Sequence, residues 1–143
     1  MSITVRTLKA EDYDQWLVLW NANNQGHINH DVTAATWQRL MENQDVRGLV
    51  AEDNGVMAGL VHFILHPVTG HLKPVCYMQD VFVSPTHRRK GIGRLLVTAL
   101  ATAGTQEGWA RMYWLAEAQN REAQALYKNL GLKLDFTLHV LPL

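Results

Sequence analysis

The sequence predicts one mixed α/β domain over residues 1–143, in the element order βααβββαβαβ, with helices flanking a central sheet. Three features carry that expectation. Apolar segments of period 2 and period 3.6 alternate along the chain, and an Asn-Gly pair joins two apolar runs as a hairpin turn would. A basic, glycine-rich loop separates a strand-like segment from a helix-like one.

The elements follow in order. Ile3-Thr4-Val5-Arg6 alternates as a short strand. Tyr13, Trp16, Leu17 and Trp20 recur at i, i+3, i+4 and i+7, one face of an amphipathic helix, and Trp37, Leu40 and Met41 mark a second. Those spacings assign Trp16 and Trp37 to the core. Residues 48–52 and 56–65 are apolar runs around Asp53-Asn54-Gly55, whose Asn-Gly pair suits a tight turn at positive φ. Residues 75–83 form the next strand, broken by Pro85. From Ile92, the positions Leu95, Leu96, Ala99, Leu100 and Ala103 keep helical spacing up to Gly104 and Gly108. Residues 112–116 read as a strand. Asn120 suits the N-cap of a helix lined by Ala123, Leu126, Tyr127 and Leu130 and stopped by Gly131. Residues 132–141 close the domain as a strand, in a sheet antiparallel early and parallel late.

Length and charge bound the function. At 143 residues there is room for one domain, and no apolar run approaches the roughly 20 residues of a membrane-spanning helix. Thirteen cations balance thirteen acids, which argues against a diffuse nucleic-acid-binding surface. No leader pattern precedes the first strand, so cytoplasmic residence is expected. The one cysteine, Cys76, has no partner for an internal disulfide. The histidine pairs His27/His30 and His62/His66 lack the cysteines or acids of a recognised metal pattern, so no metal site is expected. Packing is the simpler reading of His62 and His66, with the lining of a substrate cleft as the alternative.

Arg88, Arg89, Lys90 and Arg94 crowd four of the thirteen cations into seven residues, interleaved with Gly91, Ile92 and Gly93. A solvated turn is the plain alternative. The loop nevertheless sits at the carboxyl end of a strand and the start of a helix, where glycines admit close backbone approach and unpaired amides favour anions. A di- or polyphosphate is the expected guest. No Gly-Lys-Ser/Thr follows, and Leu96 stands where a dinucleotide fingerprint needs its third glycine. His87, beside the loop, is a candidate for a further phosphate contact.

The hexapeptide Arg88-Arg89-Lys90-Gly91-Ile92-Gly93 resembles the Arg/Gln-x-x-Gly-x-Gly/Ala signature of the GNAT superfamily of acyltransferases. Asn120, Ala123, Leu126, Tyr127, Gly131 and Leu132 are similar in spacing to its later cofactor motif. The resemblance implies acetyl-CoA as co-substrate, with Arg88 to Arg94 around the pyrophosphate. It also implies backbone contacts to the pantetheine arm from the strand carrying Val81, Phe82 and Val83, and a cofactor contact from Asn120. Tyr127 would be the acid at the departing sulfur. The strand Cys76 to Val83 and the segment Met112 to Glu117 are similar to the polyamine and histone-acetyltransferase-like branches. In the diamine branch a Glu precedes the Asp and is thought to act as base, whereas here that position is Gln79.

An amide cannot take the proton, so Gln79 is expected to orient the substrate or a water, and Asp80 becomes the candidate base, with a pairing role in the scaffold and a water chain or no dedicated base as the alternatives. Successive strand residues face opposite sides, so both reach one pocket only if the strand carries a bulge. Trp20 to His27 resembles the superfamily's variable acceptor lid, and Asp31, Glu42, Asp45 and Glu117 are the acids that could hold a cationic acceptor. The reading is direct transfer of acetyl to a small-molecule or lysine-type primary amine. Two alternatives stand beside it: a non-catalytic CoA-binding module, and an assembly partner whose last strand joins a neighbour's sheet. Homodimers are common among the enzymes it resembles.

Overall fold

A computed structural model describes residues 2–143. The strands are β1 (Ile3–Thr7), β2 (Val46–Asp53), β3 (Val56–His66), β4 (Val75–Val83) and β5 (Met112–Trp114); the helices are α1 (Tyr13–Asn23), α2 (His30–Glu42), α3 (Ile92–Glu107) and α4 (Arg121–Tyr127). Short 3-10 turns occupy Ala10–Asp12 and Pro85–His87. The five strands lie side by side in chain order, the first three pairings antiparallel and β4 with β5 parallel. The chain therefore adopts the expected mixed α/β fold, with the expected change of strand direction.

β3 is apolar on both faces because helices cover both. On one side Leu60 meets Trp16 and Leu19 of α1, Leu40 of α2 and Val50. On the other, Val61 and Phe63 meet Cys76, Met78 and the α3 residues Ile92, Leu96, Val97 and Leu100. Each such leucine contributes about 1.5–3 kcal/mol by leaving water. The tight turn between β2 and β3 holds Asn54 at φ +50° and Gly55 at φ +85°, which explains why that dipeptide stands there.

Two irregularities in β4 shape the site. His62 pairs with Asp80 while Phe63 pairs with Met78, so Gln79 is an extra residue in the ladder, a β-bulge. On the other edge, β4 pairs with β5 only from Cys76 to Met78. Beyond the bulge the two parallel strands part.

The closing strand expected over residues 132–141 is absent from the sheet. Leu132, Leu134, Phe136, Leu138 and Val140 alternate as a strand should, yet each is 64–91% exposed. Period 2 records a segment with one face to bury and a ladder to join. The sheet ends at the three-residue β5, and the segment lies outside it with its apolar residues exposed.

Candidate active site

The bulge answers the question that Gln79 and Asp80 pose. Met78 and Val81 both pack toward α3, and the two residues between them turn to the opposite face. There Gln79 and Asp80 line one cavity of about 160 Å3 with Trp20, Thr36, Arg39, Val46, His62 and Ile64. Trp20 also walls a second cavity of about 350 Å3, with Asn24, His27, Asn29, Val32 and Thr33. Trp20 to His27 thus contributes to a cleft wall, although α1 continues through half of that segment. None of Asp31, Glu42, Asp45 or Glu117 lines either cavity.

Asp80 is held by a buried relay of hydrogen bonds. The indole Nε1–H of Trp16, fully buried, donates to Nε2 of His62 at 3.0 Å. An indole nitrogen only donates, so Nε2 is the acceptor and the ring carries its proton on Nδ1. That proton points at Oδ2 of Asp80, 3.0 Å away. Oδ1 accepts from Asn23 at 3.3 Å. Each oxygen keeps a lone pair for a further donor. His62 is therefore both packed, at 3% exposure, and a neighbour of the candidate base. His66 lies elsewhere, with Nε2 on the Tyr113 hydroxyl at 2.8 Å.

The basic loop ends at Gly91, which caps α3 in the left-handed region at φ +77° with no side-chain hydrogen bond. By contrast, Asn29 caps α2 and Asn120 caps α4, accepting from Val32 and Ala123 at 3.1 and 3.0 Å. The first turn of α3 thus keeps its amides open to a ligand, and a Cβ on Gly91 would meet nothing within 4 Å. Arg89 also sits at positive φ, +64°, a strained conformation for a side chain costing roughly 1–3 kcal/mol. Its side chain, Lys90 and Arg94 are exposed. An open helix start, a glycine turn and these cations suit a pyrophosphate.

Other loop residues hold the scaffold. Arg88 donates to the Val83 carbonyl at 3.3 Å and lies 5.7 Å over the Phe82 ring. His87 turns to Asp53, Nε2 to Oδ2 at 3.3 Å, rather than standing free beside the loop. Ile92 is buried beneath it, leaving its backbone for a ligand. Gly93 has a packing reason too: a Cβ there would lie 3.3 Å from Leu126 Cδ2 and 3.8 Å from Val83 Cγ2. α4 therefore abuts the start of α3 and the end of β4.

That contact carries Tyr127 to the gap where β4 and β5 part. Its ring packs 5.2 Å from that of Trp114, while its hydroxyl has no hydrogen-bond partner among the described residues. Burial raises its pKa above 10.0. The β4 edge through Val81, Phe82 and Val83, facing that gap without a strand partner, suits the amide groups of a pantetheine. Cys76 is buried under α3, which pushes its thiol up to about 12, so no thiolate forms at neutral pH.

Sequence patterning favours packing for His62, includes Asn23 only as part of the lid segment Trp20 to His27, and gives Arg39 no role. Antiparallel register could have found His62, since a β3–β4 pairing with one extra residue sets it opposite Asp80. Arg39 lines the cavity from the last turn of α2 and Asn23 reaches Asp80 from the last turn of α1, placements that no local pattern announces.

The Acetyltransferase (GNAT) family matches residues 8–132. A D-amino-acid N-acetyltransferase of Saccharomyces cerevisiae is 28% identical over 144 residues, covering 96% of this chain and 89% of its own. An aminoglycoside N(6')-acetyltransferase type 1 of Salmonella typhimurium is 24% identical, covering 89% of each. Among solved structures, the aminoglycoside acetyltransferase AAC(6')-Iy in complex with the bisubstrate analogue CoA-S-monomethyl-acetylneamine superposes with a TM-score of 0.87 at 21% identity, over 99% of this chain and 98% of that one. With the match to the family spanning most of its length, the chain belongs to the acetyltransferase (GNAT) family, whose reaction moves the acetyl group of acetyl-CoA onto an amine.

Proposed function

We propose that this chain acetylates the primary amine of a small molecule or lysine-type side chain, bound between α1, α2 and the bulged β4. The observation that carries the reading is the bulge at Gln79. It turns Asp80 and Gln79 into one cleft just where β4 leaves β5 and frees its other edge.

Acetyl-CoA supplies a thioester, an activated acyl group with a sulfur leaving group. The chain supplies the rest. Arg89, Lys90, Arg94 and the α3 amides hold the pyrophosphate, with Asn120 beside them; its Oδ1 is used as a cap, leaving its Nδ2 to donate. Asp80 takes the proton of the incoming amine, Gln79 orients it, and Tyr127 donates toward the departing sulfur. Attack is direct, since Cys76 is neither ionised nor in the cleft. The likeness to the polyamine and histone-acetyltransferase-like branches rests on the segments Cys76 to Val83 and Met112 to Glu117, and Gln79 departs from it at the base position. Cytoplasmic residence is part of the reading, supported by a lone thiol; among the described residues no helix is long and apolar enough to cross a membrane.

The test is release of free CoA from acetyl-CoA with a panel of primary amines, alongside calorimetry of acetyl-CoA binding. Turnover on at least one amine is expected. Binding without turnover on any would leave only a CoA-binding module.

The exposed tail supports a second element, a homodimer in which residues 132–141 join a neighbour's sheet. Light scattering is expected to give twice the chain mass. Phe136→Asp, at a site 83% exposed in the single chain, should shift the population toward monomer, because a charge cannot be buried there without a partner. A monomeric wild type would remove this element.

A further inference from the structure

The cleft that Asp80 serves also contains a cation. Arg39, in the last turn of α2, lines the same cavity of about 160 Å3 as Gln79 and Asp80. Its guanidinium has no carboxylate within 4 Å and no hydrogen bond among the described residues, whereas Arg6 is paired with Asp12 and Glu52, and Arg47 with Glu107. Asp80 is the one carboxylate lining either cavity, and it already accepts from His62 and Asn23.

This charge pattern discriminates between acceptors. A diamine or polyamine that offered one nitrogen to Asp80 would set its second ammonium in a cleft with no second carboxylate and with the exposed cation Arg39 among its lining residues. A molecule whose amine is accompanied by a carboxylate satisfies both ends. Its amine meets Asp80 and Gln79, and its carboxylate meets the planar fork of Arg39, which pairs with carboxylates through two parallel hydrogen bonds.

We infer that Arg39 is the carboxylate-binding residue of the acceptor site and that the acceptor is a free amino acid. The inference rests on the acetyl-transfer reading of the cleft. It adds a specificity-determining residue, on α2, to the cavity that Gln79 and Asp80 line from β4.

The experiment takes the best acceptor from a panel of free amino acids of either hand, then its carboxamide and its decarboxylated amine, with wild type, Arg39→Met and Arg39→Lys. Wild type is expected to favour the amino acid over its carboxamide by about tenfold or more in kcat/KM, chiefly through KM. Arg39→Met brings that ratio close to one, and Arg39→Lys recovers part of it, since an ammonium attracts a carboxylate without the fork. Since a cation in a last helical turn also suits the helix dipole, the ratio, rather than the absolute rate, is the readout. Equal use of amino acid and carboxamide by wild type, or a preference that survives Arg39→Met, overturns the inference while leaving acetyl transfer intact. Should no amine be turned over, the acetyl-transfer reading fails separately. Calorimetry of amino acid against carboxamide on the CoA-loaded protein then decides: carboxylate-dependent binding lost in Arg39→Met sustains the assignment, and its absence overturns it.

Discussion

Tyr127→Phe should lower kcat about 10²-fold to 10³-fold, the usual cost of removing one donor aimed at developing charge, while acetyl-CoA binding and thermal stability change little. The ring, packed on Trp114 and half-buried under the α3 face, is retained in phenylalanine, so the fold loses only a hydroxyl. That hydroxyl has no partner among the described residues, which leaves it free to donate to a ligand. Burial, by raising its pKa above 10.0, keeps it protonated throughout the neutral and mildly alkaline range. A thiol leaving group has a pKa near 8.5. Full proton transfer from a phenol more basic than that is uphill, so the hydroxyl acts chiefly as a hydrogen-bond donor to the sulfur as negative charge develops. Activity should therefore show no decline from Tyr127 ionisation between pH 7 and 9, and the loss in Tyr127→Phe should be constant over that range. A rate within about threefold of wild type would remove Tyr127 from this position.

What the sequence disclosed follows the range of the forces involved. Local ones were legible. The helical faces of Trp16, fully buried, and Trp37, half-buried against it, the positive-φ pair Asn54-Gly55 and the Asn120 cap each depend on neighbours a few residues away, and all are found in place. The loop of Arg88 to Gly93 was legible for the same reason, as strand, turn and helix start are contiguous. Its division of labour was not: Arg88 is drawn to Phe82 and Val83, and His87 to Asp53, by surfaces that only the folded chain assembles. The cleft is the clearest case. Gln79 and Asp80 share a wall because one residue of β4 has no counterpart in β3, a property of two strands taken together. Residues 132–141 show the opposite failure. Their alternation reads as a strand, but the sheet among the described residues ends at β5 and leaves them outside it.

Asp80→Asn separates chemistry from scaffold more cleanly than any other substitution in the cleft. The amide oxygen of asparagine can still accept from the Nδ1–H of His62, and Asn23 can turn its own carbonyl toward the new amide nitrogen, so Trp16, His62 and the bulge keep their contacts. The protein should fold with nearly unchanged thermal stability. The amide cannot take a proton, however, and an alkylammonium with a pKa near 10.4 is deprotonated in only about 1 molecule in 2,500 at pH 7, a deficit of roughly 4–5 kcal/mol. Losing a positioned base typically costs about 10²-fold to 10⁴-fold, and kcat/KM should fall within that range. The pH profile identifies the cause. Without the carboxylate, only amine already neutral in solution reacts, so the variant's kcat/KM should climb close to tenfold per pH unit between 7 and 9, more steeply than wild type, and the gap should narrow. If Asp80 merely held His62 and Asn23 in place, the loss would be the same at every pH and would come with a lower melting temperature. A narrowing gap at constant stability is the signature of a base, and it would place the proton-accepting atom of the reaction on the residue that the β4 bulge turns into the cleft.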